Sequence, residues 1–363
     1  MSRHEILMIA GARPNFMKIA PIAAAVRDEP SLSAQIVHTG QHYDRLMSDL
    51  FFEQLGIPEP TLRLGVGSGT HAVQTAEVMS RLEPILLDRR PALVLVVGDV
   101  NSTVAGALVA SKLGIPVAHV EAGLRSFDRT MPEEINRVVT DAISDLLFVS
   151  EPSGVANLSR EGVAPEKVHF VGNVMIDTLR RFKAASGELR MCQRFDLAER
   201  GYALLTLHRP ANVDDPSRLR ALLESVFELS NDLPVLFPVH PRTLAGLKAL
   251  DAVHRPGLRL LEPLGYLEFL GLMSSARLVL TDSGGIQEET TVLGVPCVTL
   301  RDNTERPITI SQGTNRLGGT SLEGIRSAIK DALAATPSGR IPELWDGRAA
   351  IRIVQILARR FGR

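Results

Sequence analysis

The sequence predicts an α/β protein built from two Rossmann-like, doubly wound parallel sheets. Short apolar runs rich in Val, Leu and Ile alternate with amphipathic stretches of helical period. Several of the runs are continuously apolar, as expected of parallel strands that helices cover on both faces. A length of 363 residues, of which 45% are hydrophobic and 22% charged, corresponds to about two globular domains.

The predicted strands fall into two groups. The first group comprises Ile6–Ala10, Gln35–Thr39, Ala92–Val97, Val117–Val120, Leu146–Val149 and Val168–Val171. The second comprises Ala203–Leu207, Val235–Val239, Leu258–Leu261, Leu278–Thr281 and Cys297–Leu300. The stretch from 178 to 200 is charged and mostly helical in pattern, so we place the domain break after Asn173.

The overall charge argues against several partner classes. Forty basic and 41 acidic residues nearly cancel, whereas a general nucleic-acid or acidic-membrane binder is expected to be basic. The run Ile6–Ala10 is too short for a signal peptide, and no stretch is long enough to span a membrane. Cys192 and Cys297 show no metal-binding spacing. We expect a cytoplasmic protein with neither nucleic-acid nor membrane partners, in which any anion binds at a local site.

Charged residues follow the strands of the first group at their carboxyl ends, where open parallel sheets bind ligands. Arg13 lies beside a helix start and suits an anion. Asp99 is either a helix cap or a carboxylate in a ligand site. Glu121 directly follows a buried strand and needs a function or a partner, for which Arg125 or Arg137 is available.

The segment from Pro132 to Arg137 is typical of a helix start with two acidic residues in its first turn. Glu133 and Arg137 lie four residues apart, so we expect a surface ion pair. Glu134 then faces elsewhere, toward the ligand. By contrast, the glycines of the segment 65–69 follow a GxGxG pattern rather than GxGxxG, which favours a flexible loop over a nicotinamide site.

The strongest pattern in the second group is the turn Ser283-Gly284-Gly285, which follows the strand Leu278–Thr281 and opens a short helix. Glycines let backbone N–H groups approach a phosphate, and a helix N-terminus favours negative charge. Glu289 lies about one turn further on, suited to ribose hydroxyls. No Walker lysine follows, which excludes an NTPase P-loop. Two other strand ends, at His208-Arg209 and at His240 with Arg242, indicate an anion site.

Taken together, these segments resemble the non-hydrolysing UDP-N-acetylglucosamine 2-epimerases over essentially the whole chain. The matching segments are 12–14, 39–42, 98–99, 119–125, 132–137, 208–209, 282–285 and 301–307. The resemblance implies a glycosyltransferase-B arrangement with a cleft between the domains. It also places the C-terminal helix 349–363 on the first domain of residues 1–173, leaving 174–348 as the UDP-binding domain.

The resemblance further implies interconversion of UDP-GlcNAc and UDP-ManNAc for surface polysaccharide synthesis, by a homodimer that uses neither nicotinamide nor metal. Its implied catalytic residues are Asp99, Glu121, Glu133, Glu134 and His208. Its implied UDP-sugar ligands are Arg13, Lys18, Arg137, Asn173, Arg209, His240, Arg242, Ser283, Gly284, Gly285, Glu289, Arg301, Thr304, Glu305 and Arg306.

The chain departs from the family pattern at two places. The segment from Leu124 to Pro132 is shorter than in many bacterial members, which leaves open whether Glu133 or Glu134 is catalytic. Asp44 replaces a second glutamine of the substrate-activated members, and an arginine expected near His71 is missing. Activation by UDP-GlcNAc therefore does not follow from the resemblance.

The C2–H of an acetamido sugar is not acidic, since no carbonyl group adjoins C2 in the ring. The resemblance implies that UDP leaves C1 to give a glycal and adds back with the C2 proton on the opposite face. Three alternatives remain: an epimerase for another UDP-HexNAc such as a diacetamido-uronic acid, a hydrolysing relative, and a glycosyltransferase of the same architecture. A non-catalytic nucleotide-sugar sensor is a fourth, which the acidic residues disfavour.

Overall fold

The computed structural model describes residues 3–40, 56, 60–239, 241–250, 255–335 and 339–361, apart from the side chains of Arg13, Pro210, Pro241 and Arg242. The chain forms two compact units: unit 1 is Met1–Thr178 with Glu343–Arg363, and unit 2 is Leu179–Pro342. Each unit contains one sheet whose described strand pairs are all parallel. The predicted class, two doubly wound parallel sheets, is confirmed.

The sheet of unit 1 has the order β3-β2-β1-β4-β5-β6-β7. Its strands are β1 (His4–Ala10), β2 (Leu32–His38), β3 (Leu62–Arg63), β4 (Leu93–Val97), β5 (Val117–Ala122), β6 (Leu146–Val149) and β7 (Val168–Phe170). The strand order reverses between β1 and β4, so ligands of such a sheet bind beyond the carboxyl ends of these two strands. β3 was not predicted, because a strand of two residues shows no recognisable hydrophobic pattern. The glycine segment 65–69 that follows it contains neither helix nor strand, which confirms the predicted loop.

The described helices of unit 1 lie between these strands, except for one at the C-terminus. They are Arg13–Arg27, His71–Arg89, Asn101–Lys112, Pro132–Ile143, Pro152–Arg160, the 3₁₀ turn Pro165–Lys167 and the C-terminal helix Ala349–Phe361. Pro14 and Pro132 both lie in first turns, where proline removes no hydrogen bond. The helix Val174–Glu188 contains the boundary between the units.

Unit 2 repeats the pattern with the sheet order β10-β9-β8-β11-β12-β13. Its strands are β8 (Ala203–Thr206), β9 (Val235–Pro238), β10 (Leu258–Leu261), β11 (Leu278–Thr281), β12 (Cys297–Thr299) and β13 (Asn315–Leu317). Its described helices are Met191–Arg194, Pro210–Val213, Pro216–Ser230, Pro241–Ala249, Tyr266–Ser275, Gly284–Leu293, Ile308–Ser311 and Leu322–Ala334. Here the order reverses between β8 and β11, which places the ligand position after Thr206 and Thr281.

Buried polar contacts attach the C-terminal helix to unit 1. Asp177 accepts hydrogen bonds from the backbone N–H groups of Ala349 (3.1 Å) and Ala350 (2.7 Å). Trp345 is fully buried and donates from Nε1 to the carbonyl oxygen of Ser150 at 2.9 Å. Across the residues described, no helix is both long enough and apolar enough to cross a lipid bilayer.

Candidate active site

A buried carboxylate lies at the switch point of unit 1. Glu121, at the end of β5, forms an ion pair with Lys18 of the first helix, and both side chains are buried. Gly98 makes room for this pair, because a β-carbon there would lie 2.9 Å from Lys18 Nζ. Of the two arginines considered as partners of Glu121, Arg125 instead pairs with Asp141 and Glu161.

The backbone of Glu121 is unusual. Its φ is +76°, and the register between β5 and β6 shifts between Val120 and Ala122. A residue with a side chain in this left-handed region costs of order 1–3 kcal/mol, and such strain is found mostly at functional sites. The bulge turns Glu121 out of the alternation of the strand.

The Asp99 carboxylate pairs with an arginine and does not cap the helix that follows it. Its Oδ2 accepts a hydrogen bond from Arg137 Nη1 at 2.6 Å, and its side chain is 25% exposed. The following helix has Val100 as its N-cap and no side-chain capping bond. The helix-cap interpretation of Asp99 is therefore wrong, and a partly exposed carboxylate remains.

Glu134 is fully occupied by hydrogen bonds. It accepts from the Ser126 backbone N–H (2.9 Å) and hydroxyl (3.0 Å), and from the Phe127 N–H (3.0 Å). Arg137 adds Nε at 3.2 Å and Nη2 at 2.7 Å. Burial by itself raises the pKa of Glu134, but the Ser126 N–H and Arg137 hold this pKa below its ordinary value of 4.5. Arg137 was expected to pair with Glu133 on the surface. The expected surface position was wrong, because the Arg137 side chain is buried. Glu133 is half-buried.

In unit 2, Asp282 organises the turn after β8. It is fully buried and accepts from the backbone N–H groups of His208 (3.0 Å) and Arg209 (2.9 Å) and from Asn212 Nδ2 (3.2 Å). His208 Nδ1 lies 2.8 Å from Asp282 Oδ1, while the His208 side chain is 55% exposed. Burial opposes ionisation, but His208 and these N–H groups hold the pKa of Asp282 below 3.8. Asp282 therefore fixes the ring with Nδ1 inward.

The glycine turn opens the helix Gly284–Leu293 as predicted. Ser283 is its N-cap and makes no side-chain capping bond, so the first-turn N–H groups are not satisfied by a cap. Gly284 has no room for a side chain, because a β-carbon would lie 2.8 Å from Glu305 Oε1 and closer still to Arg306 Nη1. The absence of a side chain at Gly284 thus lets the backbone lie directly against the side chains of Glu305 and Arg306.

Three arginines surround this helix N-terminus. Arg301 Nη2 donates to Glu305 Oε2 at 2.8 Å, and Arg306 donates to Glu305 and, through Nε at 2.7 Å, to Glu288. Arg209 Nη2 lies 3.9 Å from Glu305 Oε1. Thr304 donates to Gln287 Oε1 at 2.7 Å and so holds the loop onto the helix. The guanidinium groups of Arg209, Arg301 and Arg306 thus lie beside the helix N-terminus, and such planar donors are suited to bind a diphosphate.

Glu289 is buried on the same helix and accepts a hydrogen bond from the Tyr266 hydroxyl at 2.9 Å. Burial raises the pKa of Glu289 to about 8; the Tyr266 bond opposes this shift, and the neighbouring Glu288 adds to it. No local pattern marks Tyr266 as a partner of Glu289, because it lies 23 residues away along the chain. The role of Asp282 was likewise not predicted.

This shifted pKa makes stability depend on pH. Between the ordinary pKa of 4.5 and about 8, folded Glu289 keeps a proton that the unfolded chain has lost. The free energy of unfolding is therefore expected to fall as pH rises through this window, by at most about 1.4 kcal/mol per pH unit. Urea unfolding of wild type and Glu289→Gln at several pH values measures the effect, and the variant should show a flatter dependence. Identical pH dependences would contradict the assignment.

Of the remaining predicted ligand residues, Asn173 is described by the structure, and three others lie wholly or in their side chains outside its described part. Asn173 is buried and caps the helix Val174–Glu188, since its Oδ1 accepts from the Met175 N–H at 2.8 Å. His240 lies outside the described residues, as do the side chains of Arg13 and Arg242. Within the described ranges, no group of three His, Cys, Asp or Glu side chains is arranged to hold a metal ion.

Comparison with known proteins gives consistent matches. The family model described as UDP-N-acetylglucosamine 2-epimerase matches residues 24–358. A UDP-N-acetylglucosamine 2-epimerase of Methanocaldococcus jannaschii is 44% identical over 97% of this chain and 98% of its own. The crystal structure of the M. jannaschii UDP-GlcNAc 2-epimerase in complex with UDP-GlcNAc and UDP superposes with a TM-score of 0.92 at 44% identity, covering 98% of this chain and 99% of that one. A UDP-2,3-diacetamido-2,3-dideoxy-D-glucuronate 2-epimerase of Pseudomonas aeruginosa is 43% identical over 98% of this chain and 99% of its own.

Proposed function

We propose, from the premise that this chain belongs to the UDP-N-acetylglucosamine 2-epimerase family, that it interconverts UDP-GlcNAc and UDP-ManNAc by loss and re-addition of UDP. One observation carries the proposal: the switch point of each sheet holds the groups that one half of this reaction needs. Unit 1 has the carboxylates Glu121 and Asp99 with their cationic partners, and unit 2 has the arginine-rich N-terminus of the helix that begins at Gly284.

The chemistry follows from the weak acidity of C2–H. A carboxylate of pKa near 4 removes this proton only if positive charge develops at C1. The C1–O bond breaks and UDP takes the electron pair, the C2 proton goes to a carboxylate, and C1 and C2 become doubly bonded. Re-addition reverses each step, with the proton delivered to the other face of C2.

Unit 2 stabilises the leaving diphosphate in this proposal. Arg301, Arg306 and the helix N-terminus supply positive potential where negative charge develops, which is the largest contribution in many enzymes. His208 presents its exposed Nε2 edge while Asp282 holds Nδ1, so the ring is placed to interact with the departing oxygen. The same contacts retain UDP until it adds back.

Unit 1 carries the proton transfers. Asp99 pairs with Arg137 and Glu121 pairs with Lys18, and the bulge directs Glu121 away from the strand. Of the two adjacent glutamates, we assign Glu133 rather than Glu134 to this chemistry. Glu134 accepts five hydrogen bonds and has a lowered pKa, so it is a poor proton acceptor.

The two glutamates should therefore respond differently to amide substitution. Glu133→Gln is expected to lower kcat by about 10²-fold or more with little loss of stability, since it removes a proton-transfer group from a half-buried site. Glu134→Gln removes the charge facing buried Arg137 and should lower the melting temperature clearly. Thermal melting and steady-state kinetics of both variants test this. The assignment is reversed if Glu134→Gln melts like wild type while losing more activity than Glu133→Gln.

The Pseudomonas relative supports a second candidate substrate. Its identity of 43% is close to the 44% of the M. jannaschii epimerase, so UDP-2,3-diacetamido-2,3-dideoxy-D-glucuronate is the alternative that we propose to compare. Side-by-side kcat/KM values for the two nucleotide sugars decide between them.

The primary experiment is an NMR time course with UDP-GlcNAc as sole substrate in D₂O. We expect UDP-ManNAc to form with deuterium at C2 and without net release of UDP or sugar. Accumulation of free UDP and ManNAc would indicate a hydrolase. Turnover that requires an added acceptor would indicate a glycosyltransferase.

A further inference from the structure

A buried network of charged side chains lies behind the carboxylates of unit 1. Asp141, on the helix Pro132–Ile143, has Oδ1 2.6 Å from His119 Nδ1 and Oδ2 2.7 Å from Arg125 Nη1. All three side chains are at most 1% exposed. Arg125 continues to Glu161 through Nε (2.8 Å) and Nη2 (2.7 Å). None of these four residues belongs to the proposed reaction.

The contacts of His119 determine how many protons its ring carries. Nδ1 faces the Asp141 carboxylate, and Nε2 lies 2.8 Å from the carbonyl oxygen of Gly98. A carbonyl oxygen only accepts, so Nε2 must donate to it. Asp141 is held ionised on its other oxygen by Arg125 and by the Gly123 N–H at 3.0 Å, so it also accepts. Both ring nitrogens are therefore placed to donate, which is the hydrogen-bond arrangement of an imidazolium.

The two backbone groups bound by the network flank the candidate catalytic residues. Gly98, whose carbonyl accepts from His119, directly precedes Asp99. Gly123, whose N–H donates to Asp141, lies two residues after Glu121. The network thus connects the ends of β4 and β5, through the bond from His119 to Gly98 and the bond from Gly123 to Asp141.

The second of these bonds secures the strained backbone of Glu121. The carbonyl oxygen of Gly123 accepts from Asn157 Nδ2 at 2.8 Å, and a β-carbon on Gly123 would overlap the backbone of Gly154. Gly123 is therefore restrained by three contacts: Asp141 at its N–H, Asn157 at its carbonyl oxygen and the backbone of Gly154 at its α-carbon. A left-handed residue persists only where its surroundings over-determine it, and these contacts do so for Glu121.

We propose that Asp141 is a positioning residue for proton transfer, and that it acts by keeping His119 doubly protonated so that Asp99 and Glu121 keep their relative placement. The charged groups that face the ring are Asp141 directly, Arg125 and Glu161 through Asp141, and Lys18 with Glu121 across Gly98. The expected effect of Asp141 on catalysis rests on the proposed function, whereas the protonation state of His119 does not.

A matched pair of variants separates positioning from plain stabilisation. Asp145 lies near the other end of β5, where its Oδ2 accepts from the Val117 N–H at 2.9 Å. Asp145→Asn thus alters one carboxylate bond to the same strand far from the network. We expect Asp141→Asn to lower kcat at least ten-fold with KM changed less than about two-fold, since a displacement of about 1 Å costs up to 10²-fold in rate. Asp145→Asn should leave kcat within about two-fold.

The pH profile adds a readout that lost stability alone does not move. Without the negative charge of Asp141, the imidazolium is less favoured and should lose its proton as pH rises. The kcat of Asp141→Asn is therefore expected to decline more steeply toward alkaline pH than that of wild type. Parallel profiles for the two proteins would overturn the coupling between His119 and the reaction.

The protonation state itself is measured by ¹⁵N NMR of wild-type protein labelled at histidine. The His119 signal is identified by its absence in His119→Gln, or by single substitution of the other histidines if that variant does not fold. Two protonated ring nitrogens from about pH 6 to 8, around the ordinary histidine pKa, support the proposal, and one bare nitrogen overturns it. If the imidazolium is present but wild type shows no epimerisation, the proposed function fails and this assignment stands.

Discussion

Glu121→Gln is expected to lower epimerase turnover by about 10³-fold while UDP still binds with wild-type affinity. General acid–base groups contribute typically about 10²- to 10⁴-fold, and the amide cannot take the C2 proton. The substitution also leaves Lys18 buried beside a neutral group, although the side-chain shape is kept. The loss should therefore appear in kcat rather than in nucleotide binding, which we propose that unit 2 supplies.

Steady-state kinetics and calorimetric titration with UDP test this expectation. Glu77→Gln is a suitable control, because Glu77 forms a surface pair with Arg81 on the helix His71–Arg89 of the same unit. It should change neither quantity. Turnover by Glu121→Gln within a few-fold of wild type would remove Glu121 from the mechanism.

Gly284→Ala is expected to weaken UDP binding by about ten- to a hundred-fold, or about 1.4–2.8 kcal/mol. The added carbon would lie 2.8 Å from Glu305 Oε1 and nearer still to Arg306 Nη1. Both groups are ends of side chains, but buried ion pairs with Glu288 and Arg301 restrain them. Making room for the methyl group displaces the guanidinium that is proposed to meet the diphosphate.

Gly294→Ala provides the matched control at the other end of the same helix. Gly294 has φ of +69° and no atom within 4 Å of an added β-carbon. Alanine there should lower stability by about 1 kcal/mol, the cost of the left-handed conformation. UDP affinity should stay unchanged. Equal losses of affinity in both variants would show that Gly284 acts only through stability of the helix.

Much of the architecture was predictable because buried parallel strands are locally encoded. Every strand predicted from a continuous apolar run is present with ends shifted by no more than three residues, as in Gln35–Thr39 against Leu32–His38. The helix starts at Pro14 and Pro132 were predictable because proline restricts its own backbone. Strand ends gave the candidate site because parallel sheets gather their ligands there.

The pairing of charges was not predictable from local sequence. Lys18 lies 103 residues from Glu121, and Asp282 lies 74 residues from His208. The i,i+4 rule suggested a surface pair for Arg137, but the fold buries that side chain against Asp99 and Glu134. Glu134 likewise differs from Glu133 through hydrogen bonds from Ser126 and Phe127, which only the folded chain brings close.

The residues at the ends of strands could thus be identified from the amino-acid pattern alone, because strand pattern and turn chemistry act between near neighbours. The hydrogen-bond and ion-pair partners of each carboxylate depend instead on the folded chain. A carboxylate can be neutralised by any nearby cation or N–H group, and the fold alone fixes which of these is within hydrogen-bonding distance.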